Sequence, residues 1–412
     1  MGLFFLALIT FVLGAQGPPQ EAKVSLAGGE LRYLYSAAGT GNAPLLLVLP
    51  DAVDDPSLQK LFAKWQPMAG ARRWNLVMPF IAAVSDQAVK ALEAVLADAT
   101  KRLPEMDQNR VYLVGQGASA AEVFYTLSRR PDLWAAGLAI QGSPAQAINS
   151  FRLFGSNTKE APLLWIAPAT EADMFRGKLS GVEFNFETRP EANVDQVFDW
   201  LAKHRRELFP LTVDCETGHP AFARCYWIEM TKFDPKKRND VLKSARVMPG
   251  SGASMAIGPF GFDPLAEGPG ALVGWLPPNY HGPLKLNDRI VSVAGKEMHD
   301  GREYTQFMDT IEDEKPVAIL VQRGKERLRL ETKIVLPKRE EVITARIQGR
   351  YLPDQKELLI ISRAVTHARI TIPQEWIPVS VSWNGLDVLK AESTGCWELS
   401  IEKDPPEASK CP

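Results

Sequence analysis

Two hydrophobic rhythms alternate over residues 23–210. The runs Leu45-Leu46-Leu47-Val48-Leu49, Leu76-Val77-Met78, Val111-Tyr112-Leu113-Val114 and Leu163-Leu164-Trp165-Ile166 are apolar at every position, the pattern of parallel strands covered on both faces. Between them apolar residues recur at helical spacing. Val89, Leu92, Val95 and Leu96 fall on one face of residues 86–103, and residues 119–130 and 194–206 repeat that pattern. Strand and helix in alternation predict βαβ units around a mostly parallel sheet.

The rhythm changes twice more. Residues 246–337 are rich in Gly and Pro turns between short strands, close on Val317-Ala318-Ile319-Leu320-Val321, and hold one helical pattern near 302–313. From 340 to 405 apolar residues alternate with polar ones at period two (Ile343, Ala345, Ile347; Ile370, Ile372; Val379, Val381, Trp383), and Asn384-Gly385 is a hairpin turn signal. These are half-buried antiparallel strands. Residues 211–245 carry a similar alternating run around Cys225-Tyr226-Trp227-Ile228.

The N-terminus reads differently from all of this. Residues 1–15 form an apolar run ending in Gly14-Ala15, followed by Gln16, Pro18 and Pro19, which is the pattern of a secretory signal peptide cleaved near Ala15. The run is shorter than the roughly 20 apolar residues of a membrane span, so no span is expected after cleavage. An exported chain makes its four cysteines candidates for disulfides. They lie as two close pairs, Cys215 with Cys225 and Cys396 with Cys411, although four cysteines permit three pairings. No Cys-x-x-Cys or His-x-x-x-His spacing occurs, so neither a metal nor another cofactor is expected. A formal net charge of −2 over 412 residues excludes a polyanion-binding surface, and with it nucleic acid as a partner.

The candidate chemistry of the first region centres on Val114-Gly115-Gln116-Gly117-Ala118-Ser119, where a strand meets a helix. Continued by Tyr125, Leu127 and Arg130-Pro131-Asp132-Leu133-Trp134, this segment resembles the nucleophile elbow of secreted α/β-hydrolases of the polyhydroxyalkanoate-depolymerase and feruloyl-esterase kind. The resemblance places Gly117 where those enzymes carry the catalytic serine. It also implies a His-Gly after the first buried strand, where this chain has Pro50-Asp51 after Leu49, and a histidine between the last strand and last helix, near residues 186–191, where there is none. His204 falls in the final helical pattern, beside Lys203 and Arg205, and is read as facing outward. Glu171 or Asp173 would be the acid, with no base to orient. Gly115, Gly117 and Ser119 are thus expected to form a degenerate elbow with no catalytic residue. The alternative is an active serine esterase or peptidase that uses Ser119, two residues into the helix, as a displaced nucleophile; Ser143 reads as a loop or N-cap serine.

A second resemblance covers residues 246–337. Met255-Ala256-Ile257-Gly258-Pro259-Phe260-Gly261-Phe262, Gly270-Ala271-Leu272-Val273-Gly274-Trp275 and Leu284-Lys285-Leu286-Asn287-Asp288-Arg289-Ile290-Val291-Ser292-Val293-Ala294-Gly295 are similar to a bacterial PDZ domain, with Asn287 in place of the usual glycine. Such modules capture a peptide or protein C-terminus on loop amides while the peptide adds to a sheet edge beside a helix. The resemblance implies a peptide site at Gly258, Phe260, Gly261 and Phe262, with the receiving strand starting at Phe262. Secreted esterase-like proteins also carry appended β-domains with a Tyr-Trp strand, so residues 211–245 and 340–405 are expected to form one β-domain into which the PDZ-like segment is inserted; Trp227, Trp376 and Trp383 are assigned to its core.

The sequence therefore predicts an α/β-hydrolase-like domain, a mostly parallel sheet flanked by helices, plus a PDZ-like β-rich domain and a small antiparallel β-domain. The expected role is that of a secreted or periplasmic binding protein and not an enzyme.

Overall fold

The computed structural model describes residues 19–39, 41–81, 83–237, 241–338 and 343–412. The signal-like segment 1–15 lies outside the described residues. The chain forms two compact units: one runs to Phe175, then takes in Leu179–Val247 and everything from Ile343, and the other is Met248–Val342 with Arg176–Lys178.

The first unit begins with eight strands and six helices in chain order: β1 (Gln20–Leu26), β2 (Gly29–Ser36), β3 (Ala43–Leu49), α1 (Asp55–Ala71), β4 (Asn75–Pro79), α2 (Asp86–Arg102), β5 (Met106–Gln116), α3 (Ala120–Arg129), β6 (Ala136–Ile140), α4 (Ala145–Asn149), β7 (Leu163–Ile166), α5 (Ala169–Ser180), β8 (Phe186–Arg189) and α6 (Val194–Ala202). They build one sheet in the order β1-β2-β4-β3-β5-β6-β7-β8, parallel from β4 to β8 and antiparallel at β1 and β2. Alternation within the buried strands sorts their side chains between two layers. Leu45, Leu47, Val111 and Leu113 join Leu92 and Val95 of α2 and Val123 and Leu127 of α3 on one face. Leu46, Val48, Tyr112 and Val114 meet Leu58, Phe62 and Trp65 of α1 and Val197, Phe198 and Leu201 of α6 on the other. Two-sided burial is the physical reason these strands are apolar throughout.

Local chemistry fixes the helix starts. Asp54 accepts from the Ser57 amide, Ser85 from the Ala88 amide, and Asn193 and Gln196 form a capping box at α6. Two expectations are corrected here. Residues 186–189, read as the loop before the last helix, are the edge strand β8; its mixed exposure and single neighbour hide it from a search for buried runs. α6 ends at Ala202, so His204 lies beyond the helix, and instead of facing outward it is half-buried against Trp200, with ring centroids 4.2 Å apart.

After α6 come β9 (Thr212–Thr217), β10 (Arg224–Cys225) and β11 (Ile228–Phe233). The second unit follows, with β12 (Ser254–Met255), β13 (Gly261–Phe262), β14 (Ala271–Trp275), β15 (Arg289–Val293), β16 (Lys296–Glu297), α7 (Gly301–Asp309), β17 (Lys315–Arg323) and β18 (Glu326–Val335). Its sheet runs β12-β18-β17-β15-β14-β13, with β16 paired to β15. The helix is shorter than the expected 302–313 because Thr310 caps it; Ile311 continues the apolar spacing but is buried outside the helix. Asn287 has φ +69°, a left-handed conformation that asparagine tolerates better than most residues.

The first unit then closes with β19 (Ala345–Leu352), β20 (Glu357–Arg363), β21 (Val365–Ile372), β22 (Val379–Trp383), β23 (Leu386–Ala391), β24 (Gly395–Ser400) and β25 (Glu407–Lys410). These strands complete two five-stranded sheets, β10-β11-β21-β24-β25 and β23-β22-β20-β19-β9, so strands from both sides of the second unit in sequence share each sheet. Trp227, Trp376 and Trp383 are all buried in their common core. Gly349 is required there: a Cβ at this position would lie 2.3 Å from the Trp227 ring. Disulfides join Cys215 to Cys225 and Cys396 to Cys411. No helix of the described residues is long and apolar enough to cross a membrane.

Candidate functional site

In an open α/β sheet, ligands collect at the carboxyl ends of the strands. At that edge β5 runs through a single 3-10 turn, Gly117–Ser119, into α3. The approach is close on every side. A Cβ on Gly115 would lie 2.3 Å from Ser119 O, and one on Gly142, after β6, would lie 2.0 Å from Gly117 O. Gly117 itself takes φ +59°, the strained conformation that presents an elbow residue outward. The local geometry of a nucleophile elbow is therefore intact, with no side chain at its tip.

Asp51 occupies the space above that tip. Its two carboxylate oxygens lie 3.0 and 3.1 Å from where a Cβ on Gly117 would be. Partial desolvation raises the Asp51 pKa, while the Ser119 hydroxyl and the charge of Lys64 pull it down. Lys64 also reaches Gln116, at 3.3 Å.

Ser119 is not two residues into the helix but at its N-cap, almost wholly buried. Its Oγ lies 2.9 Å from Pro50 O, 3.1 Å from Gln116 O, 3.2 Å from Leu49 O and 3.4 Å from Asp51 Oδ1. The hydroxyl proton is thus directed at backbone carbonyls that tie the β3 and β5 loops together. The one carboxylate that faces it is Asp51, and among the described residues none of the five histidines hydrogen-bonds Ser119. His219 accepts from the Ala221 amide, His299 pairs with Glu303, His367 faces Glu402, and His204 stacks on Trp200. Ser143 accepts from the Ala145 amide at 3.1 Å, as a loop serine does. Glu171 sits in the first turn of α5 with its pKa raised by burial.

This is a hydrolase-like α/β fold. The strand order, the reversed second strand and the left-handed turn between β5 and α3 define it. No family model and no curated protein matches the chain. Among solved structures, a thermostable esterase is 13% identical at a TM-score of 0.36, over 48% of this chain and 64% of that one. The acylaminoacyl peptidase of Pyrococcus horikoshii is 14% identical at 0.32, over 43% and 37%. S-formylglutathione hydrolase from Staphylococcus aureus is 12% identical at 0.32, over 45% and 94%. The chain thus spans less than two thirds of the length of the first two.

The second unit holds the other candidate site. β13 is an edge strand, paired with β14 alone, and its Phe262 ring meets Tyr304 of α7 edge-on at 5.0 Å. Gly258 opens the preceding turn at φ +88°. Among the described residues the amides of Gly258 and Phe260 donate to no acceptor, while Pro259 has no N–H to offer. Phe260 and Phe262 are half-buried and 6.2 Å apart. The four residues singled out from sequence therefore lie together at the end of an open sheet edge.

Two neighbours had no sequence signal as site residues. Asp51 was visible only as a departure from His-Gly; that it covers Gly117 depends on a contact 68 residues away along the chain, between Asp51 and Ser119. Tyr280 lies in a Pro-rich stretch without periodicity, yet packs directly on Gly258.

Proposed function

We propose that this chain is an exported binding protein whose hydrolase-like domain performs no acyl transfer and whose second unit is a PDZ-like module that takes the C-terminus of a peptide or protein. The observation that carries the first half is the Asp51 carboxylate lying over a side-chain-free Gly117. Acyl transfer needs a hydroxyl beside a base, and donors facing a developing oxyanion. An anionic carboxylate at that point repels such an oxyanion, and the nearest hydroxyl, Ser119, is engaged with carbonyls. The second half is supported by two unengaged amides on a glycine turn next to an edge strand, since such a turn favours a carboxylate and such an edge accepts another strand. Export is supported by the two disulfides, which persist in oxidising compartments.

Fluorophosphonate labelling and hydrolysis of short acyl esters test the first half, using the wild type, Ser119→Ala and Gly117→Ser. All three are expected to remain unlabelled and to leave ester hydrolysis at the buffer rate. Gly117→Ser supplies a hydroxyl but no imidazole, and its Cβ displaces the Asp51 carboxylate without creating a base. Labelling of the wild type that Ser119→Ala abolishes would establish an active serine hydrolase instead. Binding to a library of peptides with free C-termini tests the second half; a fold used only for packing binds none of them.

A further inference from the structure

We infer that Tyr280 is the positioning residue of the carboxylate-binding turn: by holding the Ile257 carbonyl it aims the Gly258 amide at the ligand. This rests on the reading of the second unit as a C-terminus-binding module. The Tyr280 hydroxyl donates to Ile257 O at 2.7 Å and lies 3.4 Å from the Leu284 amide, whose N–H it can accept. The Ile257 carbonyl and the Gly258 N–H belong to one planar trans peptide unit and point in opposite directions. Fixing the oxygen on Tyr280 therefore turns the N–H to the far side, where no acceptor among the described residues meets it.

The packing around the ring leaves this peptide little freedom. A Cβ on Gly258 would come within 3.0 Å of the Tyr280 ring, and one on Gly282 would lie 2.2 Å from both Ile257 O and the Tyr280 hydroxyl. Both glycines thus let the ring approach the turn closely. Gly258 also needs its φ of +88°, which an L side chain rarely adopts. Ile257 itself is anchored in the apolar core of this unit, with Tyr304 and Met308 of α7. The turn is held from beneath by Ile257 and from the side by Tyr280, so its amides need not reorganise when a carboxylate arrives. Such preorganisation is where binding strength is gained.

The consequence is a difference that packing alone does not produce. A ring that merely fills space supports every ligand equally, whereas a hydroxyl that aims an amide matters only to a ligand with a terminal carboxylate. The test uses the full chain and the strongest binder from a library of random heptapeptides with free C-termini, synthesised both as the acid and as the C-terminal amide. The wild type is expected to prefer the acid by at least about tenfold, the scale of one charge-assisted hydrogen bond. In Tyr280→Phe, which keeps the ring and removes only the hydroxyl, that preference is expected to fall to near unity while affinity for the amide stays within about twofold. The Gly258 and Phe260 amide resonances of the wild type should shift with the acid and not with the amide. Undiminished preference for the acid in Tyr280→Phe, or equal weakening of both peptides, overturns the role of Tyr280 and leaves the peptide-binding reading standing. Absence of any peptide binder to the wild type overturns both.

Discussion

Glu216→Ala is expected to destabilise the first unit by about 3–5 kcal/mol, the cost of stranding a buried charge whose partner has been removed. Glu216 has no solvent exposure, and its carboxylate gathers donors from three segments. Oε1 accepts from the Ser244 hydroxyl at 2.6 Å, from Arg363 at 3.0 Å and from the Thr344 hydroxyl, and Oε2 accepts from the Ala245 amide at 2.6 Å. Ser244 and Ala245 lie just before the residues of the second unit, and Thr344 just after them. One carboxylate therefore ties down both stretches of chain through which the insertion leaves and returns. Among the described residues, truncation leaves the Arg363 guanidinium, whose Nε already lacks a partner, with Thr344 and the Leu242 carbonyl. Chemical denaturation followed by tryptophan fluorescence measures the cost. A double-mutant cycle with Arg363→Met separates the pair from the rest, since losing both charges should cost less than losing Glu216 alone. A loss below about 1 kcal/mol would class the cluster with solvated surface pairs and remove its role as a clasp.

Glu216 has a neighbour two residues earlier that meets the same demand differently. Asp214 is also buried; burial opposes its ionisation, but Arg346, Gln348 and Lys159 outweigh that and hold its carboxyl below the ordinary range. Val213 and Cys215 face the apolar core of the β-sheets, so Asp214 and Glu216 alternate onto the opposite face of β9. There Asn157 clasps the backbone of Glu216, donating to its carbonyl at 2.9 Å and accepting from its amide at 2.7 Å. Hydrogen-bonded polar side chains thus join the β-sheets to the hydrolase-like sheet.

The sequence carries some of this design openly and hides the rest. β3, β7 and the Val111–Val114 part of β5 are legible because burial on both faces leaves an unbroken apolar run, and β22 because burial on one face leaves a strict alternation. β8 is hidden because an edge strand of four residues, Phe186-Glu187-Thr188-Arg189, is under neither constraint. The end of α7 is hidden for the opposite reason: buried Ile311 extends the helical spacing beyond the backbone that supports it. The elbow could be placed from Gly115, Gly117 and the strand before them, because those glycines answer to local backbone geometry. What covers it could not. Asp51 over Gly117 and Tyr280 over Gly258 are contacts between segments far apart in the chain, and neither leaves a periodic trace.

Glu122→Gln is expected to remove a loss of stability that the wild type suffers as pH rises from about 4.5 to about 8. Glu122 lies in α3 with 1% exposure. Burial pushes its carboxyl up to about 8, against the Thr126 hydroxyl and the Ser85 backbone amide, with the charge of Asp86 adding to the rise. Thr126 donates to Oε1 at 2.8 Å, and Oε2 makes no hydrogen bond of ordinary geometry among the described residues. The sign follows from proton counting. Below the unfolded value of 4.5 both states hold the proton, and above about 8 neither does. Between those limits the folded state binds more protons than the unfolded one, so the free energy of unfolding falls with pH by up to about 1.4 kcal/mol per unit. Glutamine keeps the shape and the acceptor for Thr126 but cannot ionise, and its buried amide costs about the same at every pH. The two stability curves should therefore cross: the wild type is the more stable near pH 5, and Glu122→Gln gains steadily up to about pH 8. The difference between the curves isolates Glu122, because the depressed carboxyl of Asp107 and the depressed imidazole of His204 titrate identically in both proteins. Parallel curves across that window would mean that Glu122 is charged in the folded state at neutral pH and that water or a cation reaches Oε2.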